Sequence, residues 1–116
     1  RFNTRDYVAI GSLARAANMI PPEGAENMPV PRELKWDPVP GAKFYQVFIK
    51  DMWDGERLIY TSSMLGQPRL ALPPGLLQPG GMYAWRVHAR DVNEDPRLGD
   101  FNLGSLSAEL KFSIAP

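Results

Sequence analysis

Residues 77–90 constrain the fold of this 116-residue chain more than any other stretch. They begin with the turn-forming run Gln78-Pro79-Gly80-Gly81 and then alternate strictly in polarity. One set of alternate positions is wholly apolar: Tyr83, Trp85, Val87 and Ala89. The positions between them become basic and end in Arg86, His88 and Arg90. This period-two pattern predicts a β-strand with one face in a core and the other turned to water or to a partner.

Composition describes one ordinary soluble domain. Hydrophobic residues make up 44% of the chain and charged residues 22%, which suits a single core. Thirteen basic residues balance thirteen acidic ones, so the positive surplus of a nucleic-acid-binding protein is missing. No apolar run is long enough to cross a bilayer, so no direct membrane insertion is expected. With no cysteine and one histidine, neither a disulfide framework nor a transition-metal cofactor is expected.

Turn residues divide the rest of the chain into further short strands. Twelve prolines and ten glycines separate apolar-alternating segments at 33–36, 43–51, 57–61, 67–72 and 106–114. Asp54-Gly55 is a hairpin signal, with Leu58 and Tyr60 predicted to share one face of the return strand. In the last strand the inward set is predicted to run from Leu106 to Ile114. Six or seven strands without a βαβ unit favour an all-β antiparallel sandwich.

The first part of the chain has two interpretations. Residues 1–20 are assigned as an N-terminal extension or linker, and residues 21–116 as the sandwich. Within the extension, Ser12 is an N-cap candidate for a helix to Ile20, but the same residues also suit a first strand along a sheet edge. Residues 21–32 hold four prolines, which predict a loop with at most a short edge strand. The sequence starts with Arg1, as expected of a processed product or a piece of something longer.

Three blocks resemble a fibronectin type III-like domain of the divergent kind found in bacterial extracellular and envelope proteins. Residues 34–42, with Trp36, resemble its second strand and following turn, and residues 45–49 its third strand. Residues 77–79, with Tyr83 four positions after the proline, resemble its tyrosine corner. The resemblance covers residues 28–116 and implies an immunoglobulin-like sandwich of about seven strands. It also implies that Tyr83 buries its ring and returns its hydroxyl to the backbone a few residues upstream.

No catalytic set is apparent in the sequence. The single histidine, His88, lies on the polar face of its strand, and the outward residues predicted beside it are not acidic. Those residues are Phe44, Gln46, Phe48 and Lys50. A surface histidine is therefore expected rather than a general base, since catalysis needs a nucleophile or carboxylate partner. A nucleophile elbow, a phosphate loop and zinc-ligand spacing are also missing, so the chain is predicted not to be an enzyme.

One loop is a candidate metal site. Asp91, Asn93 and Asp95 have the spacing of a calcium-binding loop, whose oxygen ligands alternate along the chain. Pro96 stands where the known pattern requires glycine, and Asn102 where it requires glutamate. The alternative interpretation is a solvated, turn-rich loop between two strands.

One sheet face is a candidate partner surface. If Tyr45, Val47 and Ile49 point into the core, their neighbours along the strand point outward beside the basic residues of 77–90. The predicted partner-binding residues are Phe44, Phe48, Trp53, Arg86, His88 and Arg90, with Trp53 placed nearby at the hairpin tip. Aromatic residues beside arginines are typical of interface cores. The alternative is that residues 1–20 fold over this face and make it ordinary core.

These observations favour a non-catalytic module in a larger secreted or cell-envelope protein, either periplasmic or at the cell surface. It would act as a spacer or a protein-interaction domain, with neighbouring domains of the same polypeptide or another protein as partners. The alternative is an accessory module for carbohydrate or calcium, attached to an extracellular enzyme. For carbohydrate, Trp53, Tyr60 and Phe48 are the candidate stacking platform.

Overall fold

The computed structural model describes residues 13–90 and 104–116, and the regular elements in these ranges are all β-strands. A larger sheet has the strand order β1-β8-β6-β3-β4, with β7 also pairing to β6, and a smaller sheet holds β2 and β5. The described strands are β1 (Ala25–Met28), β2 (Glu33–Lys35), β3 (Phe44–Asp51), β4 (Arg57–Thr61), β5 (Arg69–Ala71), β6 (Met82–Arg90), β7 (Gly104–Leu106) and β8 (Leu110–Ile114). The predicted all-β sandwich is confirmed.

The pairing is antiparallel except between β1 and β8, which are parallel. This exception arises because the first part of the chain changes sheets. Residues 13–20 are irregular rather than helical, with a bend at Asn18, and Ile20 bridges Lys35 of the smaller sheet. After Pro21 and Pro22, the chain crosses to the larger sheet and forms β1 at its edge. Met19 is buried in the core, so this segment packs as part of the sandwich.

The central pair of strands, β3 and β6, follows the alternation predicted from the sequence. Val47 lies opposite Val87 and Ile49 opposite Trp85, and all four side chains are fully buried. Trp36, just after β2, fills the space between the sheets. Its ring lies 5.4 Å from that of Tyr45 and 6.0 Å from that of Trp85. Tilted and edge-on contacts of this kind stabilise a core beyond simple burial of area.

The predicted tyrosine corner is present. Tyr83 is buried, and its hydroxyl oxygen accepts a hydrogen bond from the Gln78 N–H at 2.9 Å. The Tyr83 ring packs 5.9 Å from that of Phe112. Gly81 is required beside it, since a Cβ at that position would come within 2.6 Å of the tyrosine ring. The corner therefore fixes the turn before β6 to the core.

The prediction that Leu58 and Tyr60 share a face is wrong. Tyr60 pairs with Ile49, whereas Leu58 pairs with Lys50, so β4 holds one extra residue between these two positions. This β-bulge reverses the alternation, because successive side chains in a strand point to opposite faces. As a result Tyr60 packs against the core while Leu58 is exposed.

The predicted final strand is divided, and Leu106 does not point inward. Leu106 pairs with His88 and Leu110 pairs with Trp85, so four steps along β7 and β8 match three along β6. The extra residue reverses the phase and leaves Leu106 on the solvent side. Beyond the break the prediction is confirmed, since Phe112 and Ile114 are buried.

Candidate functional site

The outer face of the larger sheet, which is the side turned away from β2 and β5, carries the predicted partner-binding residues of β3 and β6. Phe44 lies opposite Arg90, Gln46 opposite His88, and Phe48 opposite Arg86. The structure therefore brings together the aromatic and basic side chains that the alternation placed side by side. Phe44, Phe48 and Arg86 are partly exposed.

His88 and Arg90 are buried, each about 1% exposed, so the expectation of a surface histidine is wrong. His88 lies on a central strand with Gln46 of β3 on one side and Leu106 of β7 on the other. Burial lowers the pKa of His88 from its ordinary value of 6.5, and the nearby Arg90 charge lowers it further. The imidazole is therefore neutral at pH 7.

Trp53 lies apart from these residues. It follows Asp51, which pairs with Tyr83, whereas His88 and Arg90 lie toward the opposite end of β6. Trp53 is 70% exposed, and its indole N–H donates to the Gly80 carbonyl at 3.3 Å. The prediction that it sits close to the basic end of β6 is wrong because the hairpin tip lies at the other end of the sheet.

The candidate carbohydrate platform is not assembled on one surface. Phe48 is on the outer face, Tyr60 packs toward the core, and Trp53 is at the turn. Of the three, Trp53 is the side chain with a largely exposed ring.

A shallow groove of about 250 Å³ crosses the outer face. It is lined by Phe48, Lys50, Leu58, Arg86 and Leu106. The two leucines come from opposite sides of the central strands and are 50% and 41% exposed. Neither leucine was a predicted partner-binding residue. Leu106 was placed in the inward set and Leu58 on the same face as Tyr60, because strand periodicity carries no signal for the break or the bulge that separates them from those faces.

The charged side chains of this groove differ in their partners. Lys50 forms an ion pair with Glu109 at 3.1 Å. Arg86 donates through Nε and Nη2 to the Ser107 carbonyl, at 3.4 and 3.2 Å. In the part of the chain that the structure describes, no carboxylate lies within ion-pairing distance of Arg86.

The candidate calcium ligands Asp91, Asn93 and Asp95 lie outside the described residues, so that site stays a prediction. Across residues 13–90 and 104–116, no three acidic or histidine side chains are grouped so that they could hold a metal ion. These ranges also contain no helix with the length and apolar character needed to cross a membrane.

Solved structures with a similar fold include an fn3 domain and a CopC protein. The fn3 domain of the human collagen alpha-1(XX) chain, solved in solution, matches with a TM-score of 0.62 and 23% identity over 92% of this chain and 89% of that one. The crystal structure of CopC from Methylosinus trichosporium OB3b matches with a TM-score of 0.56 and 14% identity over 88% of this chain and 93% of that one. No protein-family model and no curated protein sequence matches. This chain is therefore a fibronectin type III-like domain in fold, an immunoglobulin-like β-sandwich.

Proposed function

We propose that this chain is a non-catalytic module that holds neighbouring domains or partner proteins apart in a larger secreted or cell-envelope protein. The observation that carries this proposal is the course of the chain through the sandwich. The described chain starts at one end of the larger sheet and finishes at the other, and a spacer needs this geometry.

Direct contacts hold the first and the last described residues to the sandwich. Near the start, the Ala14 carbonyl accepts a hydrogen bond from the Ser105 hydroxyl at 2.7 Å, beside the end of β6 that carries Arg90. At the other end, the Gly80 N–H donates to the Ala115 carbonyl at 3.0 Å, beside the start of β6. The nine residues of β6 separate these points by roughly 27 Å, at about 3.4 Å per residue.

The core between these two points is closely packed, so the module should move as a rigid body. Trp36, Tyr45 and Trp85 pack together between the sheets, and the tyrosine corner ties the turn before β6 to the core. Close-packed interiors deform little under load, because each side chain is held in place by its neighbours. A change at one end would thus be carried to the other as a rigid-body movement.

The proposal is tested by a distance measurement between spin labels on Ala14→Cys and Pro116→Cys. The sequence has no cysteine, so labelling is confined to the two introduced sites and the parent chain is the matched control. A single narrow distribution at the separation of the two sheet ends, unchanged by calcium or oligosaccharides, is expected. A broad distribution, or one that calcium or a sugar displaces, would contradict a spacer.

The alternative function is an accessory module that binds carbohydrate, and the exposed ring of Trp53 is the observation that favours it. Planar aromatic side chains at a surface are able to stack against sugar rings. Titration of a panel of soluble oligosaccharides, followed by tryptophan fluorescence and by calorimetry, tests this alternative. Binding that is lost in Trp53→Ala and kept in Tyr60→Ala would establish it in place of the spacer.

A further inference from the structure

We propose that the outer-face groove lined by Phe48, Lys50, Leu58, Arg86 and Leu106 binds a segment of a partner protein that presents a leucine- or phenylalanine-sized side chain next to an Asp or Glu. This inference rests on the proposed function as a module that contacts other proteins, and it specifies the chemistry of the contact.

The apolar part of the groove is exposed across the width of the sheet. Leu58 and Leu106 are 50% and 41% exposed, and Phe48 lies between them on the central strand β3. Arg86 of β6 lies between Phe48 and Leu106, so the groove presents apolar side chains on both sides of the guanidinium. Apolar surface of this kind with charged residues at its margin is the usual composition of a contact site, because burying it gains free energy.

The charged side chains of the groove favour an acidic partner. The ion pair with Glu109 compensates the Lys50 ammonium, whereas the two hydrogen bonds of Arg86 go to a neutral carbonyl. A guanidinium that is partly buried and faces no carboxylate within the described ranges forms a strong, directional pair with an incoming Asp or Glu. The preferred segment therefore places its carboxylate at Arg86 and its apolar side chain between Leu58 and Leu106.

The same charge argues against a second copy of this chain as the occupant. A two-fold dimer brings the same patch of both subunits together. Pairing of two such grooves would therefore place Arg86 near its own copy, and like charges at an interface disfavour association. An acidic and apolar segment of another protein satisfies both parts of the groove.

The test is selection from an unbiased library of displayed 12-residue peptides against the whole chain, with counter-selection on Leu58→Asp. Selected peptides are expected to carry Asp or Glu within two positions of Leu, Ile, Phe or Trp. A selected peptide should lose at least fivefold in affinity on Arg86→Gln and bind Leu58→Asp undetectably. Arg57→Gln is the matched control, because Arg57 pairs with Asp54 and does not line the groove, and it should leave affinity unchanged. Circular dichroism confirms that each variant is folded.

Several results would overturn the proposal. These are no enrichment over the counter-selection, enriched peptides without acidic residues, or equal affinity in Arg86→Gln and Arg57→Gln. Concentration-dependent dimerisation that Leu58→Asp abolishes would assign the groove to a second copy instead. Nuclear Overhauser contacts from residues 1–12 or 91–103 to the Leu58 and Leu106 methyl groups would assign it to the chain itself. None of these results changes the end-to-end distance, so failure of this inference is distinguishable from failure of the spacer proposal.

Discussion

Ser62 and Ser107 make the same pair of hydrogen bonds to two valines that face each other at the centre of the larger sheet. The Ser62 hydroxyl accepts from the Val47 N–H at 2.9 Å, and the Ser62 N–H donates to the Val47 carbonyl at 2.9 Å. Ser107 bonds Val87 in the same way, at 2.9 and 2.8 Å. Val47 and Val87 are opposite each other on β3 and β6. The two serines therefore complete the backbone pairing where β4 and β7 end.

Ser62→Ala and Ser107→Ala should each destabilise the fold by about 1–3 kcal/mol, because each leaves a buried valine N–H without an acceptor. Urea denaturation measures the effect. Ser63→Ala is the matched control, since the exposed Ser63 contributes its backbone carbonyl to Ser62, and its cost should stay within about 0.5 kcal/mol. Equal stabilities for all three variants would show that water replaces the serine hydroxyls.

Two tyrosines accept hydrogen bonds from the backbone, and removing either hydroxyl should be costly. Tyr83→Phe leaves the Gln78 N–H without its acceptor, and Tyr45→Phe does the same to the Val39 N–H, which is bonded at 2.9 Å. Each change should lower the free energy of unfolding by about 1–2 kcal/mol. Tyr60→Phe is the comparison, because the described contacts include no hydrogen bond to the Tyr60 hydroxyl, and it should cost less than either. The reverse order of thermal stabilities would contradict this account.

His88 should make the fold less stable in acid. Its pKa is lowered in the folded chain by burial and by Arg90, so between pH 6.5 and that lower value the unfolded chain binds more protons than the folded one. The contribution of neutral His88 to the free energy of unfolding is therefore fully present above the unfolded pKa, and it falls as the pH drops through this window. His88→Gln should show a smaller loss in urea midpoint between pH 7.5 and pH 5. If the urea midpoints of the two proteins fall equally between pH 7.5 and pH 5, His88 is excluded as the cause of the loss of stability in acid.

Ala84 should tolerate no larger side chain. It is fully buried and directly opposite Lys50, whose ion pair with Glu109 connects β3 to the residues before β8 across β6. Ala84→Leu should cost about 1–3 kcal/mol by overpacking. Lys50→Gln removes only the partly exposed ion pair and should cost less than about 1 kcal/mol. If thermal denaturation shows equal losses of stability for Ala84→Leu and Lys50→Gln, the space around Ala84 accommodates a leucine and the expected overpacking is absent.

Alternation predicted the part of the fold that obeys a strict period of two. Val47, Val87 and Trp85 are buried as expected, and the proline-to-tyrosine spacing located the Tyr83 corner. Leu58 was assigned to the face of Tyr60 and Leu106 to that of Phe112, but one inserted residue reverses the alternation between the residues before and after it. Nothing in a single sequence marks where an insertion falls. The groove that they line could therefore not be predicted from the sequence.

The burial of His88 could not be predicted for a different reason. Alternation assigns a side chain to one face of a sheet, but it does not say whether that face is covered. The same limit applies to Arg90, which shares the outer face with Phe48 and Arg86 and is nevertheless buried. Periodicity thus identified the right neighbours and left their accessibility open.

The most direct test of the spacer proposal is the spin-label distance between Ala14→Cys and Pro116→Cys, measured first in this chain alone and then with a folded domain fused to each end. A rigid spacer should give one narrow distribution with the same mean in both, set by the length of the sandwich. A mean that shifts, or a second population that appears when the neighbouring domains are present, would contradict a rigid module that holds its neighbours apart.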